Sequence, residues 1–199
     1  MFHDNKSCFE YSMKKLKDIG TPVTCIKSRH NCVQATKRGS SEANNLQAKI
    51  YVCVGSECML TSNLWTEVGV HNGAKGKVIG FVYIDASGPR NGGVPEAVVV
   101  QFRYLAGEDY IQMFLGVYTR SLEIPMKQVE WKHNGKTLIR TQFPLMLSWA
   151  ITIHKSQGRT LELAVIDLGT SEKCCDMSLV ALSSVNKLNN ILLKPFSYE

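Results

Sequence analysis

No apolar stretch in the 199-residue chain approaches the ~20 residues needed to span a bilayer, and its start, MFHDNKSC, lacks the basic-then-apolar layout of a secretory signal. A nuclear or otherwise intracellular location, with no membrane partner, is the expectation. Proline is scarce at 6 residues, and with 44% hydrophobic and 20% charged residues the composition excludes a disordered or collagen-like chain. Paired C-x-x-C units are missing. The nearest candidates are Cys53 and Cys58, with four residues between them, and the adjacent Cys174 and Cys175, so no metal site is expected. The 7 cysteines, an odd number at irregular positions, make a poor disulfide framework and read as reduced thiols.

What is present is a basic first quarter. Residues 1–50 hold nine Lys/Arg against four Asp/Glu, a net +5, whereas the remaining residues carry only +1 of the total +6. Clustered positive charge attracts polyanions by releasing their counterions, which makes nucleic acid a reasonable partner.

Along the chain, FEYSMKKLKDI (9–19) places Phe9, Met13, Leu16 and Ile19 on one face and predicts an amphipathic helix ended by Gly20. Residues 21–46 are polar and weakly periodic, and read as a surface excursion. A β-rich middle follows: AKIYVCVGSECML, KVIGFVYI, EAVVVQF and SLEIPMKQVEW are runs of β-branched and aromatic residues, with Asn72-Gly73 as a tight-turn signal and DASGPRNGGVP as a loop. Short strands with glycine-rich corners suggest a small barrel between about residues 48 and 138. Beyond it PLMLSWAITI and LAVIDLG are nearly unbroken apolar runs, as strands covered on both faces of an α/β sheet would be. The run at 149–153 is expected to pair in parallel with 163–168 or a near neighbour. Trp65 and Trp149 read as core aromatics rather than base-stacking platforms.

The apolar run at 149–153 ends abruptly in His154, Lys155, Ser156, Gln157 and Gly158. In open α/β sheets ligands gather where loops leave the carboxyl ends of strands. Gly158 can take a backbone conformation closed to other residues, Ser156 and Gln157 offer hydrogen bonds, and Lys155 supplies a charge matched to phosphate. The cluster suits a phosphate-rich ligand, and a solvated polar turn would look the same.

PLMLSWAITIHKSQGRTLELAVIDLG resembles the fifth motif and its flanks in the PIF-type DNA helicases, relatives of the RecD group in superfamily one. GSECMLTSNLWTEVGVHNGAKGKVIGFVY is similar to that family's barrel-entry segment, LVALSSVNKLNNILLKPF to its sixth motif, and FHDNK to its step into the second motor domain. The fold the resemblance implies is an α/β second RecA-like domain, a parallel sheet with helices, over 1–47 and 139–199. A small Src-homology-three-like β-barrel is inserted over 48–138. The function it implies is ATP-driven 5′ to 3′ movement along single-stranded DNA with strand separation. Thr152, His154, Lys155 and Ser156 then fall on the DNA side, Gln157 and Gly158 on the nucleotide side, with ATP and Mg²⁺ as the implied nucleotide and ion.

Two departures qualify that expectation. No G-x-x-x-x-G-K-[ST] loop occurs in the 199 residues, so the phosphate cradle and most Mg²⁺ ligands are expected from a first RecA-like domain, supplied in trans or in a longer product. The chain is accordingly expected to be a fragment, a truncated gene product or a protein that needs a partner. The sixth motif also reads ALSSVNK where the family has ALSRV and a further basic residue. Ser184 therefore stands at the arginine-finger position, a group worth about a thousandfold or more in rate, and no catalytic residue is assigned. Asn186 replaces the second basic residue, with Lys187 one position away. A catalytically inactive nucleic-acid-binding remnant is the alternative reading.

Overall fold

A computed structural model describes residues 1–83, 93–106, 111–114, 117–158, 160–167 and 177–194. The chain divides into two compact units, one formed by Met1–Asp18 with Trp149–Glu199 and the other by Ile19–Ser148. Among the described residues no helix is long and apolar enough to cross a membrane.

The first unit is a small parallel α/β layer. Strand β12 (Ala164–Asp167) pairs in parallel with β13 (Ile191–Lys194), and between them in sequence lies helix α4 (Met177–Ser183). Phe2 adds the next row, bridging Asp167 on one side and Thr152 on the other, both in parallel. Phe2 donates its amide to Ile151 O at 3.1 Å and accepts from Ile153 N at 3.0 Å. The expected strand at 149–153 is thus reduced to a single bridge at Thr152, and its parallel partner is Phe2, the near neighbour that stands between it and 163–168. The core gathers Ile153, Ala164, Ile166, Met177, Ala181 and Val185. The alternating burial of β12 exposes Val165, whose register partner Leu192 is exposed as well.

Helix α1 (Asn5–Ile19) starts four residues before the periodic run, because Asp4 caps it. The Asp4 carboxylate accepts from Ser7 N at 2.7 Å and from Ser7 Oγ at 2.9 Å, satisfying an otherwise orphaned donor of the first turn. Gly20, at φ +76°, ends the helix. The face differs from expectation: Ser12 and Leu16 are buried, while Phe9 is 51% exposed.

Among its described residues the second unit is β apart from the end of α1 at Ile19, helix α2 (Val33–Thr36) and a 3₁₀ turn at Thr66–Val68. Its largest sheet is antiparallel and contains β4 (Glu57–Leu60), β5 (Lys75–Val82), β6 (Ala97–Phe102), β7 (Ile111–Phe114), β8 (Val117–Pro125) and β11 (Leu145–Leu147). The order is β11-β4-β5-β6-β8-β7, so two edges remain and no closed barrel forms among the described residues. A two-stranded sheet pairs β1 (Thr24–Lys27) with β3 (Lys49–Val52), and a three-stranded one orders β2 (Arg29–His30), β10 (Lys136–Gln142) and β9 (Lys127–His133).

The expected Asn72-Gly73 turn is present: Ala74 N donates to His71 O at 2.9 Å, and Gly73 takes the φ of +91° that the third position of a type II turn requires. A second Asn-Gly pair, Asn134-Gly135, has positive φ at both residues and joins β9 to β10 by a type I′ hairpin turn. Most of the loop DASGPRNGGVP lies outside the described residues. Buried residues including Ile26, Val52, Leu60, Val100, Phe102 and Phe143 form the main core. Cys53 and Cys58 are fully buried, and burial pushes the Cys58 thiol up to about 12, as suits a packing thiol. Cys174 and Cys175 lie outside the described residues. Trp65, expected in the core, is 43% exposed.

The segment 21–46 is less of an excursion than its polarity suggests. It contributes β1, β2 and α2, and buries Ile26, Ala35, Ala43 and Leu46. The side-chain amide of Asn31 continues the β2 ladder, donating to Thr137 O at 3.0 Å and accepting from Ile139 N at 2.9 Å.

Candidate nucleic-acid interface

The segment from Thr152 to Gly158 leaves the carboxyl end of a parallel row in the first unit, the edge where α/β layers place their ligands. Thr152 is the extended residue before a single helical turn, α3 (Ile153–Ser156), and its carbonyl accepts from Lys155 N at 3.0 Å and Ser156 N at 3.1 Å. Its side chain is buried and makes no capping bond. Ile153 points into the core, so the turn is anchored by an apolar side chain and directs its next residue outward. His154 is exposed and Lys155 half-buried.

The chain turns away at Gln157 and Gly158, both exposed, with Gly158 at φ +73°. That conformation is the one for which glycine is suited, and a Cβ there would meet nothing within 4 Å, so the backbone is open to approach. Of the residues expected to contact a ligand, His154, Lys155, Gln157 and Gly158 are accessible. Thr152 and Ser156 are not.

Ser156 is fully buried and Ser184 is 5% exposed. Ser156 Oγ donates to Ile153 O at 2.7 Å, Ser184 Oγ donates to Val180 O at 2.8 Å, and the two hydroxyl oxygens lie 3.2 Å apart. Two hydroxyl protons cannot fill three bonds, so the serine-to-serine bond forms only when one carbonyl bond is given up. Ser184 also accepts from Leu161 N at 2.8 Å through its carbonyl. Ser184 is therefore part of an internal joint between α3 and the end of α4. Asn186 and Lys187 are exposed beyond it.

The same sheet edge carries His3 and Asp4 of the FHDNK segment, which follow Phe2 and were given no site role from sequence. His3 Nε2 lies 2.7 Å from Asp4 Oδ2. The Ser7 backbone N–H and then the Ser7 hydroxyl hold the Asp4 carboxyl below its usual range. The readable signal was Asp4 itself, a favoured N-cap residue just ahead of a helical run. Burial raises the Cys8 thiol, the N-terminal ammonium and, more weakly, the Lys155 ammonium pulling it the other way.

Among the described residues no group of three or more His, Cys, Asp or Glu side chains is placed to hold a metal ion.

No protein-family model matches the chain. It is 32% identical over 190 residues to the ATP-dependent DNA helicase PIF1 of Danio rerio, covering 94% of this chain and 25% of that protein. It is 34% identical over 143 residues to the human ATP-dependent DNA helicase PIF1, covering 72% of this chain and 19% of the relative. The chain thus spans about a quarter or less of these relatives.

Among solved structures, a Pif1 helicase from Candida albicans superposes with a TM-score of 0.72 at 22% identity, over 98% of this chain and 44% of that one. A Bacteroides Pif1 in complex with ADP-AlF3 and single-stranded DNA superposes with a TM-score of 0.63 at 19% identity, over 100% of this chain and 40% of that one. Likeness at such identities speaks for the fold, and the sequence relatives carry the kinship: the chain belongs to the PIF-type helicase family.

Proposed function

We propose that the chain is the C-terminal portion of an ATP-dependent 5′ to 3′ DNA helicase, contacting single-stranded DNA through the edge that bears His154 and Lys155. The observation that carries this reading is the outward turn of α3 at the carboxyl end of a parallel row, with an exposed imidazole and a half-buried ammonium. The first unit corresponds to the second RecA-like domain, and the strands between 48 and 138 to an inserted Src-homology-three-like barrel. Lys155 and His154 meet phosphate oxygens. Thr152 and Ser156 serve by fixing the turn from within, Thr152 through its carbonyl and Ser156 through its hydroxyl. Gln157 and the open backbone at Gly158 offer secondary contacts to a nucleotide.

ATP hydrolysis needs the phosphate cradle, magnesium ligands and water-orienting base of a first RecA-like domain, in trans or in a longer product. A relative bound to ADP-AlF3 and single-stranded DNA supports both ligands as classes. The alternative, a non-hydrolytic nucleic-acid-binding remnant, is favoured by the burial of Ser184 in its contact with Ser156, which leaves no cation at that position.

Fluorescence anisotropy with a labelled single-stranded oligonucleotide at rising salt tests the shared part of both readings. Binding that weakens steeply with salt and with Lys155→Ala supports it. Affinity indifferent to both counts against the edge as the DNA site.

A further inference from the structure

Within the second unit, Arg140 on β10 is fully buried. Its guanidinium has five N–H donors, and five acceptors surround it. Nε donates to His30 Nε2 at 3.0 Å. Nη1 donates to Leu46 O at 2.9 Å and Gly39 O at 3.5 Å, and Nη2 to Arg38 O at 2.7 Å and Ala35 O at 3.0 Å. No carboxylate is among these acceptors. Four of the five are backbone carbonyls of residues 35–46, so one side chain fastens that whole segment over the β9–β10 hairpin. Ala43 and Leu46 of the cover pack against Val129 and Trp131 of the hairpin, and Arg140 stands 5.8 Å from the centre of the Trp131 ring.

The fifth acceptor differs from the others because it can be protonated. Arginine only donates, so His30 Nε2 must carry a lone pair and its proton must sit on Nδ1. Adding a second proton would set an N–H against an N–H and a positive charge against a positive charge at 3.0 Å. The remaining charged and titratable groups of the cluster are Arg38 and Glu42 from the covering segment and His133 from β9. Glu42 lies 3.8 Å from Arg38 Nη1 and 3.9 Å from His133 Nδ1. Arg38 Nη2 contacts His133 Nε2, a second pair in which the imidazole nitrogen must accept.

We propose that His30 is a proton-sensitive clasp: uncharged, it completes the Arg140 cage and holds residues 33–46 on the β9–β10 hairpin, and protonated, it releases them. Burial, and then the charge of Arg140, lower the His30 titration in the folded chain. A histidine whose folded value lies below its unfolded value contributes stability that is complete above the unfolded value, about 6.5, and is lost as pH falls below it. Release uncovers an apolar patch bearing Trp131, so acidification converts a closed surface of this unit into an adhesive one.

Nuclear magnetic resonance and hydrogen exchange on the full chain test the clasp. At about pH 7.5, His30 is expected as the Nδ1–H tautomer, and the amides of Ala43, Asn45 and Leu46, bonded within the segment, are expected to be protected. On acidification to about pH 5, their protection, corrected for intrinsic exchange, should fall about tenfold or more with the midpoint of the His30 titration. His30→Gln, whose side-chain oxygen can accept from Arg140 but does not titrate, should keep protection over the same range, and His133→Gln should not. An Nε2–H tautomer, undiminished protection in acid, or a loss that persists in His30→Gln or disappears in His133→Gln would overturn the proposal. If His30→Gln does not fold, the tautomer and the shared midpoint in the unsubstituted chain decide alone.

Discussion

The hydroxyl oxygens of Ser156 and Ser184 lie 3.2 Å apart inside the first unit, joining the turn that follows Thr152 to the end of α4. Each hydroxyl also has a backbone carbonyl within 2.8 Å. The joint is therefore redundant. Ser184→Ala should cost about 1 kcal/mol, the net worth of one hydrogen bond, because Ser156 keeps its bond to Ile153 O. Ser184→Arg should cost about 3 kcal/mol, since a guanidinium must be forced into, or out of, a site only 5% exposed. Urea unfolding of the two variants measures both, and equal effects would contradict the burial argument.

Lys155→Ala should weaken single-stranded DNA binding across sequences and lower the slope of log affinity against log salt by about one, the signature of one lost phosphate contact. His154→Ala, which removes the ring nitrogens of an exposed side chain, should have a smaller effect. Anisotropy titrations at several salt concentrations separate the two substitutions.

The chain alone should release no phosphate from ATP in the presence of single-stranded DNA. Adding a family first domain should restore little turnover, because Ser184 supplies no charge to the transferring phosphoryl group. Ser184→Arg together with that domain should give more, provided the new side chain turns outward. Phosphate release from the three preparations checks this, and robust turnover by the chain alone would falsify it.

Gly76 sits where β5 crosses close to β6. A Cβ there would stand 2.5 Å from Val100 Cγ1 and 2.7 Å from Gln101 O, and a backbone oxygen in a ladder cannot yield cheaply. Gly76→Ala should destabilise the chain by about 1–3 kcal/mol, the range for overpacking. Gly135→Ala should act differently, straining the turn at φ +72° while touching nothing. Thermal unfolding of the pair distinguishes clash from strain.

Much of the β-rich unit was legible because its strands are runs of β-branched residues and its first turn carries Asn-Gly, both of which act locally. The break at 154–158 was legible in the same way. A polar cluster after an apolar run reports a strand's end, and Gly158 took the left-handed conformation that its residue type permits. Which members of that cluster face outward was not legible, because Ser156 and Lys155 differ only in where one helical turn points them.

By itself the sequence determined that a first helix runs up to Gly20, that short strands make up the middle and that a polar cluster follows residue 153, since each rests on neighbours within a few residues. Tertiary structure alone decided the rest. PLMLSWAITI reads as one buried strand, yet it is divided: Leu145–Leu147 pair with β4 in one unit, and Thr152 bridges Phe2 in the other. On β10 the alternation puts Leu138, Arg140 and Gln142 on one face, two of them polar, and a local reading would turn such a face to water. It is buried because distant carbonyls, those of Ala35, Arg38 and Leu46 for Arg140 and of Ile26 for Gln142, meet its donors, and the hydrogen bonds that make that burial tolerable exist only once residues about a hundred positions apart are brought together.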